Sequence, residues 1–319
     1  MREGGASIPQ ENLGDDMSCH TTEKTRLGLR INACTFRGIK YGVPCLLETL
    51  LQHRARASFF FSIGPDNTGL YLWRYLNPIN IINSFKARSP SLMYWDALLT
   101  GPPWPRGLIG PRCREHIKAV ADSDMEVGVQ SWDYYNYRFR LHRLPLERIA
   151  SEQKLANQMM EDITGRPVLA TASPGWSADQ NILLARENYN YLYASDCRFH
   201  LAFLPEVRHR THKVPQIPVT LPTLEELVRS GMISAKYFPE IIVEQIKPCR
   251  LNVLAISAEM EGLAFRDVFD ILLGKLCSKD IIPTTLGSLL PEKPDILPVS
   301  LISKYRPSEN KTGDYVYFS

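Results

Sequence analysis

The chain has 319 residues, 44% apolar and 22% charged, enough to bury a large core, which excludes a disordered chain or a mini-protein. Its 37 basic and 34 acidic residues leave a net charge of +3, which is no nucleic-acid footprint. No run reaches the roughly 18 to 20 uncharged apolar residues of a spanning helix. At roughly 150 residues per domain two domains would be expected, but an α/β barrel of about 200 to 300 residues forms one.

Residues 1–25 have no apolar periodicity and read as a disordered leader, with Met17 as an alternative start. No apolar h-region of a secretory signal is present. The seven cysteines, at 19, 34, 45, 113, 197, 249 and 277, are scattered, odd in number and free of any C-x-x-C pair. A reducing, cytoplasmic home is the expectation.

From there, apolar runs of strand length alternate with helical patterns. The predicted strands cover residues 27–34, 57–64, 126–132, 167–173, 191–197, 216–223, 251–259 and 281–285. Several are near-continuously apolar, as parallel strands covered on both faces should be. Helices are predicted over 43–55, 144–165 and 265–279, and Thr223-Leu-Glu-Glu226 matches a capping box opening another. Seven or eight strand-then-helix units argue for a β/α barrel, whose chemistry sits at the C-terminal strand ends. Residues 66–113 form an insertion rich in aromatics and arginines, and the tail over 291–319 is polar and Pro-containing. His209 and His212 have H-x-x-H spacing but lie among arginines and read as a solvated loop.

The chain has no phosphate loop, no G-x-S-x-G and no H-E-x-x-H. The strand ends instead collect Asn32 and Cys34, Gln130, Asp133 and Tyr134, Trp176 and Asp179, Asp196, and Ser257 with Glu259 and Glu261. This is a polar pocket with several carboxylates and no evident nucleophile–base pair. Cys34 has no histidine near it in sequence and reads as a small buried thiol.

In this setting the run Leu27-Gly-Leu-Arg-Ile-Asn-Ala-Cys-Thr-Phe-Arg-Gly38 resembles the opening of the 4-deoxy-4-formamido-L-arabinose-phosphoundecaprenol deformylases. These are NodB-like polysaccharide deacetylases of carbohydrate esterase family 4. The resemblance continues through Ala57-Ser-Phe-Phe-Phe-Ser-Ile-Gly-Pro-Asp-Asn67, Glu126-Val-Gly-Val-Gln-Ser-Trp-Asp133, Gly175-Trp-Ser-Ala-Asp-Gln180, Ser195-Asp-Cys-Arg198, Gln216-Ile-Pro-Val-Thr-Leu-Pro-Thr223 and Ile256-Ser-Ala-Glu-Met-Glu-Gly262. It spans residues 26–290 in order and implies an α/β fold, a deformed (β/α)7 barrel, followed by the tail.

The resemblance also implies metal-assisted hydrolysis of an N-acyl group. It places Asn32 at the general-base position, Cys34 at a carboxylate ligand, Gln130 and Tyr134 at two histidine ligands, and Ser257 at the acid histidine. Each of these positions has lost the group that handles a proton or the metal. Arg37, Asp133, Trp176, Asp179, Glu259 and Glu261 still match, and with Asp196 they are the expected substrate contacts.

The leading expectation is a homologue without catalytic residues or bound metal, keeping a pocket for a lipid-linked aminosugar. Two alternatives stay open. One is altered chemistry through Cys34, Asp133, Asp196 or the Glu259/Glu261 pair, and the other is deformylation through an unorthodox metal site. The aromatic and basic insertion adds an expected peripheral contact with anionic membrane at the cytoplasmic face of the inner membrane.

Overall fold

The computed structural model describes residues 24–67, 107–229 and 234–301. Most of the expected leader, positions 68–106 of the expected insertion and the tail beyond residue 301 lie outside the described residues.

The chain begins with β1 (Arg26–Ala33), α1 (Val43–Gln52), β2 (Ser58–Ser62), α2 (Arg114–Asp122) and β3 (Glu126–Ser131). It continues through α3 (Tyr134–Arg140), α4 (Leu146–Thr164), β4 (Ala170–Ala172), α5 (Gln180–Arg186), β5 (Tyr193–Ser195), β6 (Leu204–Val207) and β7 (Arg210–Thr211). After these come α6 (Leu224–Arg229), α7 (Phe238–Gln245), β8 (Val253–Ser257), α8 (Arg266–Ser278), β9 (Ile282–Thr284) and β10 (Val299–Leu301).

Seven strands form one sheet in the order β5-β4-β3-β2-β1-β8, with β9 also on β1, and every pair is parallel. Helical crossovers cover the outside, so all five residues of the central strand β2 are buried. This is the expected deformed (β/α)7 barrel.

The pleat sorts the core in two, because successive side chains on a strand face opposite ways. Leu27, Leu29, Ile31 and Ala33 of β1 join the outer core with helix residues such as Leu46, Leu50, Phe269 and Leu272. Phe60, Tyr193, Val253, Ala255 and Leu286 form a second cluster. Arg30 and Asn32 alternate with the outer set and therefore share the inner face.

The stretch predicted as a strand over 216–223 is the one that departs from regularity. It lies between β5 and β8 and makes only isolated bridges, Gln216 to Ala194 and to Phe203 and Val219 to Arg198, with Thr220 N and Leu221 N donating to Val253 O at 3.1 Å. Pro215, Pro218 and Pro222 remove donors that a ladder needs, so the strand cannot propagate. The gap between β5 and β8 is what deforms the barrel. The adjoining capping box forms as predicted: Thr223 N donates to Glu226 Oε2 at 2.9 Å and Glu226 N to Thr223 Oγ1 at 3.2 Å.

The loop that carries His209 and His212 is more ordered than its charge suggested. It holds β6 and β7, which pair with β10 in a small separate sheet. His212 is buried, not solvated, with Nδ1 at 2.8 Å from Glu187 Oε1.

Candidate functional site

β1 delivers Arg30 and Asn32, β3 delivers Gln130, and β8 delivers Ser257 directly beside Asn32 in the parallel register. Cys34 and Thr35 follow β1, and Tyr134 opens α3 just after β3. Asn32, Cys34, Gln130 and Tyr134 therefore converge at the barrel's C-terminal end, where the sequence reading placed them.

These side chains bond to one another. Cys34 Sγ donates to Gln130 Oε1 at 3.1 Å, Ser62 Oγ donates to the same oxygen at 3.2 Å, and Gln130 Nε2 donates to Asn32 Oδ1 at 3.2 Å. Tyr134 hydrogen-bonds the Cys34 side chain. Burial, reinforced by the charge of Glu259, pushes the Cys34 thiol well above its ordinary range, so the sulfur keeps its proton.

Glu259 anchors the loop after β1. Its Oε1 accepts from Cys34 N and Thr35 N at 2.9 Å and from Thr35 Oγ1 at 3.0 Å, while Oε2 accepts from Ser257 Oγ at 3.0 Å. Burial raises its pKa despite these donors. Glu261, also buried, accepts from Ser257 N at 3.0 Å, and burial pushes it up to about 8. The anchoring needs Gly38, since a Cβ there would overlap the Glu259 carboxylate.

The other predicted contacts have structural partners. Asp133 caps α3 through Asn136 N at 3.0 Å and accepts from Asn67 Nδ2 at 2.7 Å. Asp179 caps α5 through Ile182 N at 3.0 Å. Asp196 is completely buried against Arg186. Arg37 is exposed, next to the anchored loop.

Sequence reasoning passed over Arg30. Fully buried, it donates to Asn32 Oδ1 and Ser173 O at 2.9 Å and to the Ser195 carbonyl. Its guanidinium carbon lies 4.7 Å from the Trp176 ring centroid and 5.7 Å from that of Phe60. Burial lowers its pKa to about 10, which still leaves it charged at neutral pH. The signal was available: a lone charge inside an apolar strand, two residues before Asn32 and so on its face.

No family model matches the chain. A probable 4-deoxy-4-formamido-L-arabinose-phosphoundecaprenol deformylase from Shewanella sediminis is 35% identical over 249 residues, 78% of this chain and 80% of that protein. A second, from Wigglesworthia glossinidia brevipalpis, is 31% identical over 83% of this chain and 93% of its own length. The chain belongs to this deformylase family. Among solved structures, a probable polysaccharide deacetylase from Pseudomonas aeruginosa PAO1 is similar in fold, with a TM-score of 0.59 and 12% identity over 85% of this chain and 92% of that one. The PuuE allantoinase aligns at a TM-score of 0.57 with 12% identity, over 83% and 89% of the two chains.

The resemblance assigns the deformylase family a divalent metal at the positions held here by Cys34, Gln130 and Tyr134. Those residues do not fit one. A protonated thiol, an amide with both ends engaged and a phenol offer neither the carboxylate nor the imidazoles such an ion requires. Among the described residues no three His, Cys, Asp or Glu side chains are grouped to hold one.

Proposed function

We propose that this chain is a catalytically silent member of the deformylase family that keeps a carbohydrate pocket and binds a lipid-linked aminosugar without turning it over. The observation that carries the reading is the chain of hydrogen bonds from Cys34 through Gln130 to Asn32. Asn32 cannot take a proton from water, and Ser257 is no general acid at neutral pH. Without a metal, water keeps a pKa near 15.7, and nothing at position 32 compensates. Elemental analysis of the purified protein, with formate release from the lipid-linked formamido sugar, tests this. Near-stoichiometric zinc together with formate release overturns it.

One contact favours a second reading, altered hydrolysis of a carbohydrate carbon–nitrogen bond. Ser257 Oγ lies 3.0 Å from the buried Glu259 carboxylate, a hydroxyl beside a potential base. Turnover lost in Ser257→Ala and retained in Cys34→Ala would support it.

The barrel over 26–290 is the functional unit in this proposal, and its insertion over 66–113 meets anionic lipid at the cytoplasmic face of the inner membrane. No helix among the described residues is long and apolar enough to cross a membrane. The insertion's Arg112 stands 3.7 Å from the ring centroid of Phe36, beside Lys40. Binding to anionic liposomes should be salt-sensitive, and Arg74, Arg88 and Arg106 changed to Glu should abolish it.

A further inference from the structure

Asn252 ties the start of β1 to a surface turn that carries Cys249. Its buried side chain closes the turn: Oδ1 accepts from Lys247 N at 2.9 Å, and Nδ2 donates to Lys247 O at 2.8 Å and to Arg250 O at 3.0 Å. The same Nδ2 reaches Arg26 O at 3.5 Å, and Gly28 N donates to Asn252 O at 2.9 Å. The turn is therefore fixed against the first residues of β1, at the end of the barrel opposite the candidate site.

Cys249 is exposed within that turn, with φ at +57°, in the left-handed region that favours glycine. It is disulfide-bonded. The cysteines at 34, 45, 113, 197 and 277 are free. The remaining cysteine of the chain is Cys19. Cys19 precedes Arg26 by seven residues, and Cys249 precedes Asn252 by three. An extended chain covers up to about 3.5 Å per residue, ample for the two sulfurs to meet across the Asn252–Arg26 contact.

We propose that Cys19 and Cys249 form a reversible disulfide that staples the segment before β1 to the turn between α7 and β8. A low-molecular-weight disulfide of the glutathione type is the oxidant. The Cys249 thiolate attacks one of its sulfurs, and a glutathione thiolate leaves. The Cys19 thiolate then attacks the Cys249 sulfur of the mixed disulfide and expels the second glutathione. The two cysteines lose two electrons and two protons, and the oxidant becomes two glutathione thiols. Burial raises the Cys34, Cys113 and Cys197 thiols above their ordinary range, so these do not compete as thiolates. The exposure of Cys249 leaves the bond open to the reverse attack, so a reducing compartment breaks it and oxidising conditions restore it.

The test uses the full chain equilibrated in glutathione buffers, quenched in acid and alkylated in denaturant. Oxidised buffer should remove two alkylatable thiols, and peptide mapping without reductant should recover the Cys19 peptide joined to the Cys249 peptide. At fixed oxidised glutathione, the ratio of linked to reduced chain should fall with the square of the reduced glutathione concentration, because two molecules are released. Cys19→Ser should stop at the mixed disulfide, with one glutathione on Cys249 and a first-power dependence. Cys249→Ser should leave Cys19 unlinked to the rest of the chain. Any of four results overturns the proposal: no linkage at any buffer ratio, a glutathione held on Cys249 while Cys19 is intact and free, Cys249 joined to another cysteine of the chain, or a disulfide-linked dimer on a non-reducing gel.

Discussion

Arg186 of α5 and Asp196 at the end of β5 form an ion pair with both side chains only 1% exposed. Gln216 Nε2 donates to the same Asp196 oxygen at 2.9 Å, and Arg186 Nη2 donates to Ser173 Oγ at 3.1 Å. Removing one partner strands the other charge in the interior. Arg186→Met or Asp196→Leu should each cost about 3–5 kcal/mol, and the double variant should recover most of that loss. Urea denaturation of the three variants measures it, and additive losses would show that the pair is not coupled.

Glu261 makes stability fall with rising pH. Burial raises its folded pKa to about 8, above the value of an unfolded glutamate, so its contribution is full at low pH. Above the unfolded pKa the unfolded chain gives up the proton first, and the contribution is lost as pH rises through the folded value. Denaturant midpoints for the unaltered chain should therefore decline between about pH 5 and 8, relative to Glu261→Gln. Parallel pH profiles for the two proteins would sink this assignment.

Gly42 permits the closest approach of two π-helical turns, Gly38–Gly42 and Met260–Ala264. A Cβ at Gly42 would overlap the Ala258 carbonyl oxygen, and one at Gly262 would lie 2.8 Å from Gly42 Cα. Backbone cannot swing aside as a flexible side chain can, so Gly42→Ala should cost about 1–3 kcal/mol. Thermal unfolding reads it, and an unchanged midpoint would mean that the turns separate freely.

The Cys34 thiol should be chemically quiet. Its burial and the neighbouring Glu259 charge suppress the thiolate, whereas Cys277 is exposed. Iodoacetamide at pH 8 should modify Cys277 on the order of 100-fold faster, followed by peptide mass spectrometry. Comparable rates would show the site to be more open and polar than its hydrogen bonds imply.

Single restorations of the lost catalytic groups should be silent, because base, ligands and acid act as a unit. Asn32→Asp alone supplies a base with no metal-bound water to act on. Asn32→Asp, Cys34→Asp, Gln130→His, Tyr134→His and Ser257→His together should bind about one equivalent of zinc and release formate. Turnover from any single change would contradict the proposed loss.

Features set by neighbours in the chain were legible. The Thr223–Glu226 capping box needs four consecutive residues, and both of its bonds form. The apolar runs that became β1, β2, β3 and β8 had to be parallel strands, since both faces are covered. The stretch over 216–223 was in the right place but overestimated, because apolar content alone ignores the donors missing at Pro215, Pro218 and Pro222. Burial of His212 and of the Arg186–Asp196 pair was beyond local reading, since each depends on a partner brought in by folding.

The sequence by itself determined the barrel, through its alternation of buried strands and amphipathic helices, and the chemistry of positions 32, 34, 130, 134 and 257, none of which carries an imidazole or a carboxylate. Only the tertiary structure decided what those side chains do. It turned the Asn32 oxygen toward Arg30, aimed the Cys34 thiol at Gln130 Oε1, and held Glu259 against the loop after β1. Donor and acceptor directions belong to pairs of groups from different strands, and they are settled only when those strands stand side by side.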